Sequence, residues 1–164
     1  MNKSTIMRNL FTILFWLLLS VAPVFAADFQ KGWEAYQRGD FATALQKWRP
    51  LAEQGDGRAQ FNLGIMYDRG NGVAEDDKQA VYWYRKAAEQ GHAWAQSNLG
   101  LMYLKGEGVA EDYILAYKWA NLAAAQGYKN AANMKKQLRK RMTRAQIAEA
   151  QRLSREWSPK QYGE

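Results

Sequence analysis

The chain has 164 residues, no cysteine, a single histidine (His92) and a formal net charge of +7. That composition excludes a disulfide scaffold and most zinc-site spacings, so stability has to come from packing. The length suits one domain with a modest core.

The first segment carries Lys3 and Arg8 without an acid, followed by a 17-residue apolar run, Leu10 to Ala26, broken near its end by Pro23. Val24 and Ala26 stand at the two positions a signal peptidase reads. This is the layout of a secretory leader over residues 1–26, cleaved between Ala26 and Ala27, and it implies a periplasmic or secreted product. The alternative is a retained anchor, for which the run is at the lower limit of about 17 apolar residues. Residues 27–54 follow as a helical partial repeat, with a short Gly39-Asp40 turn and Pro50 expected to kink or weaken its second helix.

Residues 55–90 and 91–126 are then two copies of one 36-residue unit, with 19 identical positions and no gap. A fixed period in this range marks a solenoid, whose units bury apolar faces on their neighbours. Ala59, Leu63, Met66 and Tyr67, then Ala95, Leu99, Met102 and Tyr103, form one stripe of a first helix. Ala80, Trp83, Ala87 and Ala88, then Ala116, Trp119, Ala123 and Ala124, do the same for a second helix. The expected fold is all-α: a right-handed α-solenoid of antiparallel helix pairs without a sheet. Gly64 and Gly100 fall mid-helix, where a close approach to opposing alanines is expected. Asn62 and Asn98 are read as bonding backbone within their repeats.

GNGVAED and GEGVAED, starting at Gly70 and Gly106, join the helices of each pair. Gly70 and Gly106 fit left-handed helix ends, and Gly72 and Gly108 a second unusual backbone geometry. Val73 and Val109 are expected to fold back as plugs. Asp76 and Asp112 read as N-caps, with Gln79 at capping-box spacing after Asp76. A phosphate cradle is excluded by the acids at the helix start and the lack of GxxxxGK[ST].

Beyond Gln126, a helix over Asn130–Met142 with Met134, Leu138 and Met142 inward is expected. A Thr143–Gln146 capping box then opens a last helix with Ile147, Ala150, Leu153 and Trp157 inward. Residues 127–164 so form a terminal cap, and they carry ten Lys and Arg against three Glu. Lys135, Lys136, Arg139, Lys140 and Arg141 concentrate the excess. Such a patch suits anionic lipid, peptidoglycan or an acidic partner, or is a solvated face near a helix C-terminus. Export and the absence of interleaved aromatics argue against nucleic acid.

The elements A-x-x-x-L-G-x-x-Y, G-x-G-V, A-x-x-W and A-A-x-x-G resemble the Sel-one-like repeat, a relative of the tetratricopeptide repeat, in two full copies over residues 55–126. The resemblance implies an α-solenoid scaffold or adaptor for other proteins, without catalysis or cofactor. Members with a disulfide in every repeat differ from this cysteine-free chain. Positions that vary between repeats then define an expected concave groove for a partner peptide: Arg58 and Trp94, Phe61 and Ser97, Ile65 and Leu101, Arg69 and Lys105, with Phe29, Trp33 and Tyr36 in the opening segment. Ile65 and Leu101 fit packing between adjacent repeats equally well. No metal spacing, Ser/His/Asp grouping or paired carboxylate suggests an enzyme, and a monomer is expected.

Overall fold

The computed structural model describes residues 26–160, and the leader-like segment before them lies outside that range. Among the described residues all regular structure is helical: α1 over 26–37, α2 Phe41–Glu53, α3 Gly57–Arg69, α4 Asp77–Glu89, α5 Ala93–Lys105, α6 Tyr113–Ala125, α7 Lys129–Leu138 and α8 Arg144–Arg155. They form an all-α solenoid of helix pairs. Two compact units are present, one ending at Lys47 and one running from Trp48.

In the first unit, Asp40 begins α2 by accepting a bond from the Thr43 amide at 3.1 Å. Pro50 lies on the exposed side of α2, and the helix continues past it to Glu53.

In the second unit the repeated stripes form the core. Ala59, Leu63, Met66, Ala95 and Leu99 from the first helices are fully buried, as are Ala80, Ala87, Ala88, Ala116 and Ala123 from the second helices. Each buried leucine contributes about 1.5–3 kcal/mol relative to an exposed one. Gly70 (φ 64°) and Gly106 (φ 71°) end α3 and α5 in left-handed geometry, their amides returning to the Met66 and Met102 carbonyls. The loops close with the Asp76 amide on the Tyr67 carbonyl and the Asp112 amide on the Tyr103 carbonyl, both at 3.0 Å. Asp76 and Asp112 cap α4 and α6 through the Gln79 and Leu115 amides. Among the described residues, a complete reciprocal box forms only at α8, between Thr143 and Gln146. Val109 packs on the core as expected of a plug, and Val73 is half-buried.

Several local expectations are corrected. Gly64 faces the ring of Tyr84 rather than an alanine: a Cβ there would stand 2.4 Å from Tyr84 Cδ1. Gly100 does meet the α6 backbone, with Ala116 O and Ala120 N at 3.1 and 3.3 Å from a built Cβ. α7 stops at Leu138, and Met142 reaches the core from the following turn. On α8 the inward positions are Ile147, Ala150 and Ser154, with Trp157 turning inward just past its end, because Ser154 and not Leu153 is buried. The Ser154 hydroxyl is satisfied by the Ala150 carbonyl at 2.8 Å, which makes a polar residue tolerable there.

What sequence reading missed is a pair of buried glutamines. Gln60 and Gln96, 1 % and 0 % exposed, each donate to the last turn of the preceding second helix: Gln60 Nε2 to Ala52 O at 2.9 Å and Gln96 Nε2 to Ala88 O at 3.1 Å. Each also accepts from the residue capping the second helix of its own repeat, Gln90 at 2.7 Å and Gln126 at 2.9 Å. One amide thereby ties three helices together. The Arg49–Tyr67 and Arg85–Tyr103 bonds, both 2.9 Å, repeat along the same joints.

Replacing Gln96 with leucine removes its bonds to Ala88 O and from Gln126, leaving Ala88 O to the Gly91 amide at 3.0 Å, and we expect a loss of about 0.5–1.5 kcal/mol per bond in urea unfolding. Gln126→Leu, at an exposed position, should cost less. A second comparison concerns the loop. Gly108 (φ 66°) lies so close to the start of α4 that a Cβ would stand 2.2 Å from Asp77 O, whereas Gly127 (φ 86°) has open space around it. Gly127→Ala should cost about 1–2 kcal/mol of backbone strain, and Gly108→Ala about 1–3 kcal/mol more for the clash. Equal losses would show that the Asp77 contact is unimportant.

Candidate functional site

The sequence-derived binding positions separate into covered and open groups. In the first compact unit, Trp33 is 41 % exposed and stacks on Tyr36 with centroids 6.3 Å apart, and Phe29 is half-buried. In the second unit, Phe61 and Ser97 are buried and do not face a ligand, which corrects their assignment to an open groove. The Phe61 ring is covered by the next repeat: His92 stacks on it at 4.6 Å and Trp94 meets it edge-on at 6.0 Å. Divergence at this position therefore reflects how neighbouring repeats fit together. Ile65 is half-buried against the core.

Arg58, Arg69, Trp94, Leu101 and Lys105 remain exposed. Arg58 is engaged by Asp56 at 2.8 Å, and Lys105 by Glu107 at 3.3 Å. Trp94 is 57 % exposed although Tyr128 lies beside it, centroids 5.8 Å apart. Leu101, 38 % exposed, follows seven residues later on the same helix and so shares its face. A fixed indole and a leucine two turns apart form an apolar contact surface of the kind that anchors partner segments.

Sequence reading did not find the part of this surface formed with α7. Leu101, Leu104, Met134 and Leu138 line a cleft of about 240 Å³, together with Gln137 and Arg141. On α7 and the turn after it, Lys136, Arg139, Lys140 and Arg141 are exposed, while Lys135 is half-buried and bonded to Asn121 Oδ1 at 3.0 Å.

At the start of α5 the geometry is electrostatically sensitive. His92 Nδ1 accepts the Ala95 amide at 3.3 Å, the role that Asp56 performs at the start of α3. A polar hollow of about 400 Å³ lies between these two helix starts, lined by Asp56, Arg58, Gln90 and His92. Burial pushes the His92 imidazole below its ordinary value, partly opposed by the charge of Asp56. Across α3 and α5, the Tyr84 hydroxyl donates to Asp68 at 3.0 Å, with the Asn98 side chain near it. Burial, with Asp68 beside it, raises the Tyr84 phenol.

The lowered His92 value means that the fold favours neutral imidazole. Stability is complete above the unfolded value of about 6.5 and falls as pH drops through the folded value. A fall in melting temperature between about pH 7 and 5.5 is expected in the native chain and should be absent from His92→Asn, which keeps a capping oxygen. Since the chain has one histidine, an unchanged slope in the variant would refute this assignment.

Comparison with known proteins agrees with the geometry. The family model for the Sel1 repeat matches residues 57–92 and 95–128. A Sel1 repeat protein from Oxalobacter formigenes is similar in structure, with 35 % identity and a TM-score of 0.64, over 77 % of this chain and 98 % of that one. The protective antigen c5321 of uropathogenic Escherichia coli strains, which displays an SLR fold, has 33 % identity and a TM-score of 0.77 over 81 % of this chain. This chain spans 29 % of the length of that antigen. Among curated proteins none matches.

Proposed function

Because the chain belongs to the Sel1-repeat family, generally non-catalytic scaffolds that mediate protein–protein interaction, we propose that it is an exported adaptor holding a peptide segment of a partner protein on the open face of its first helices. The observation that carries this reading is the exposed pair Trp94 and Leu101 on α5. Water around a large indole is released when a partner covers it, and the indole loses little conformational freedom on binding. Helix α5 is fixed by its His92 and Gly106 caps and the Gln96 clamp, so the pair is presented in one geometry. Export is supported by the leader-like segment over residues 1–26 and places the partner in the cell envelope or outside the cell.

Native-partner co-purification from the envelope fraction tests the binding. Trp94→Ala with Leu101→Ala should weaken recovery about tenfold or more, as loss of an anchor pair does, while circular dichroism keeps its helical signal. Undiminished binding by this folded variant would refute the proposed face. Sequencing the N-terminus of the mature product tests export, with Ala27 expected as its first residue.

A further inference from the structure

The joints between successive first helices are built from different chemistry. Between α3 and α5, the Tyr84 ring packs against Gly64 and its hydroxyl bonds Asp68, with Asn98 beside it. Thirty-six positions further on, Tyr84, Asp68 and Asn98 are replaced by Ala120, Leu104 and Met134. The hydroxyl, its aspartate partner and the neighbouring asparagine are gone, and apolar side chains stand in their place. Ala120 lets the α6 backbone rise towards Gly100, but among the described residues no side-chain hydrogen bond reaches across between α5 and α7, where the Trp94–Tyr128 ring contact lies at the start of α7. The cleft lined by Leu101, Leu104, Met134 and Leu138 is what remains.

Its size and its surroundings narrow the occupant. About 240 Å³ is below the roughly 300–1,000 Å³ of small-molecule and cofactor sites, and suits one inserted side chain. The lining is apolar except for Asn133, Gln137 and Arg141, of which Arg141 alone is charged, and this argues against a phosphate or a free carboxylate as the whole ligand. Around it the charge has one sign. Arg141 lines the cleft, Lys136, Arg139 and Lys140 are exposed beside it in sequence, and none of the four makes an ion pair among the described residues. A ligand matching both features presents an apolar knob between carboxylates.

We propose that the α5–α7 cleft seats one bulky apolar side chain from an acidic segment of the partner protein, with its carboxylates meeting Arg141 and the neighbouring cations. This rests on the protein-interaction reading and names the chemistry of the segment bound. The apolar insertion fixes the register, and the cations select acidic sequences and speed encounter at low salt. Tyr84 denies the first joint the same capacity, so the segment is held at the C-terminal end of the repeats.

The test uses the full chain and three labelled synthetic peptides, read by fluorescence anisotropy: one phenylalanine flanked on both sides by glutamates, the same peptide with alanine for phenylalanine, and the same with glutamines for glutamates. The first should bind, and each control should bind about tenfold more weakly or worse. Met134→Glu and Arg141→Glu should each weaken the first peptide by about tenfold or more, whereas Lys78→Glu, a matched charge reversal on α4, should change it little. Arg141 is exposed, so its variant keeps the fold even if Met134→Glu does not. Equal binding of the phenylalanine and alanine peptides would overturn the proposal, as would an Arg141→Glu effect no larger than that of Lys78→Glu. Sedimentation with anionic-lipid vesicles in the absence of peptide binding would overturn it in favour of a membrane surface. If the native partner is lost from the Trp94–Leu101 variant yet retained by Arg141→Glu, the adaptor function stands and the cleft assignment fails. Loss from neither variant would remove both.

Discussion

A buried carboxamide at the α2–α3 and the α4–α5 joints is the constraint on which the rest of this structure depends. Burial of Ala, Leu and Met stripes draws helices together, but hydrophobic attraction is non-directional and the small alanines allow sliding. Gln60 and Gln96 remove that freedom. Each satisfies a carbonyl on the helix before it and a capping side chain on the helix after it, at distances between 2.7 and 3.1 Å. An unmet amide in that interior would cost more than the bond itself contributes, so the register is held by the penalty for leaving it. Ala132 stands where a third such glutamine would fall, and the ladder stops where the repeat stops.

With the frame held at those joints, the facing surfaces are free to differ. One joint holds a tyrosine whose hydroxyl bonds an aspartate, with an asparagine nearby. The next has alanine, leucine and methionine in the corresponding places. The terminal helices then close the solenoid without filling the second joint. Trp157 meets Trp119 with centroids 6.4 Å apart, and the segment beyond it returns to α4 through the Lys160–Glu89 ion pair at 2.8 Å. The cap thereby covers the second helices, while the first helices keep an apolar opening bordered by cations. A scaffold of this kind gains specificity at its divergent positions without disturbing what holds it together.

Much of this architecture could be read directly from the chain. Helix pairing, the left-handed glycines, the aspartate caps and the buried stripes all follow from short-range physics repeated at a fixed spacing. The proposed binding surface was only partly legible. Trp94 and Leu101 are exposed as their variability suggested, but Phe61 and Ser97 vary and are nevertheless buried. Variation marks any position free of the common packing pattern, including one that fits the end of the next repeat. Gln60 and Gln96 were passed over for the converse reason: a polar residue in a helix reads as surface until its partners, eight and thirty positions away, are placed around it.

The sequence alone determined that the protein is built from paired helices with a repeating core, because helical periodicity, caps and turn glycines act within a few residues and need no knowledge of the neighbours. Only the tertiary structure decided which divergent side chains remain open, where the amides clamp the joints, and that a cleft persists between α5 and α7. Those outcomes depend on the distance between helices that are far apart in the chain, and that distance is set by the bulk of what lies beneath them: a tyrosine at one joint and an alanine at the other.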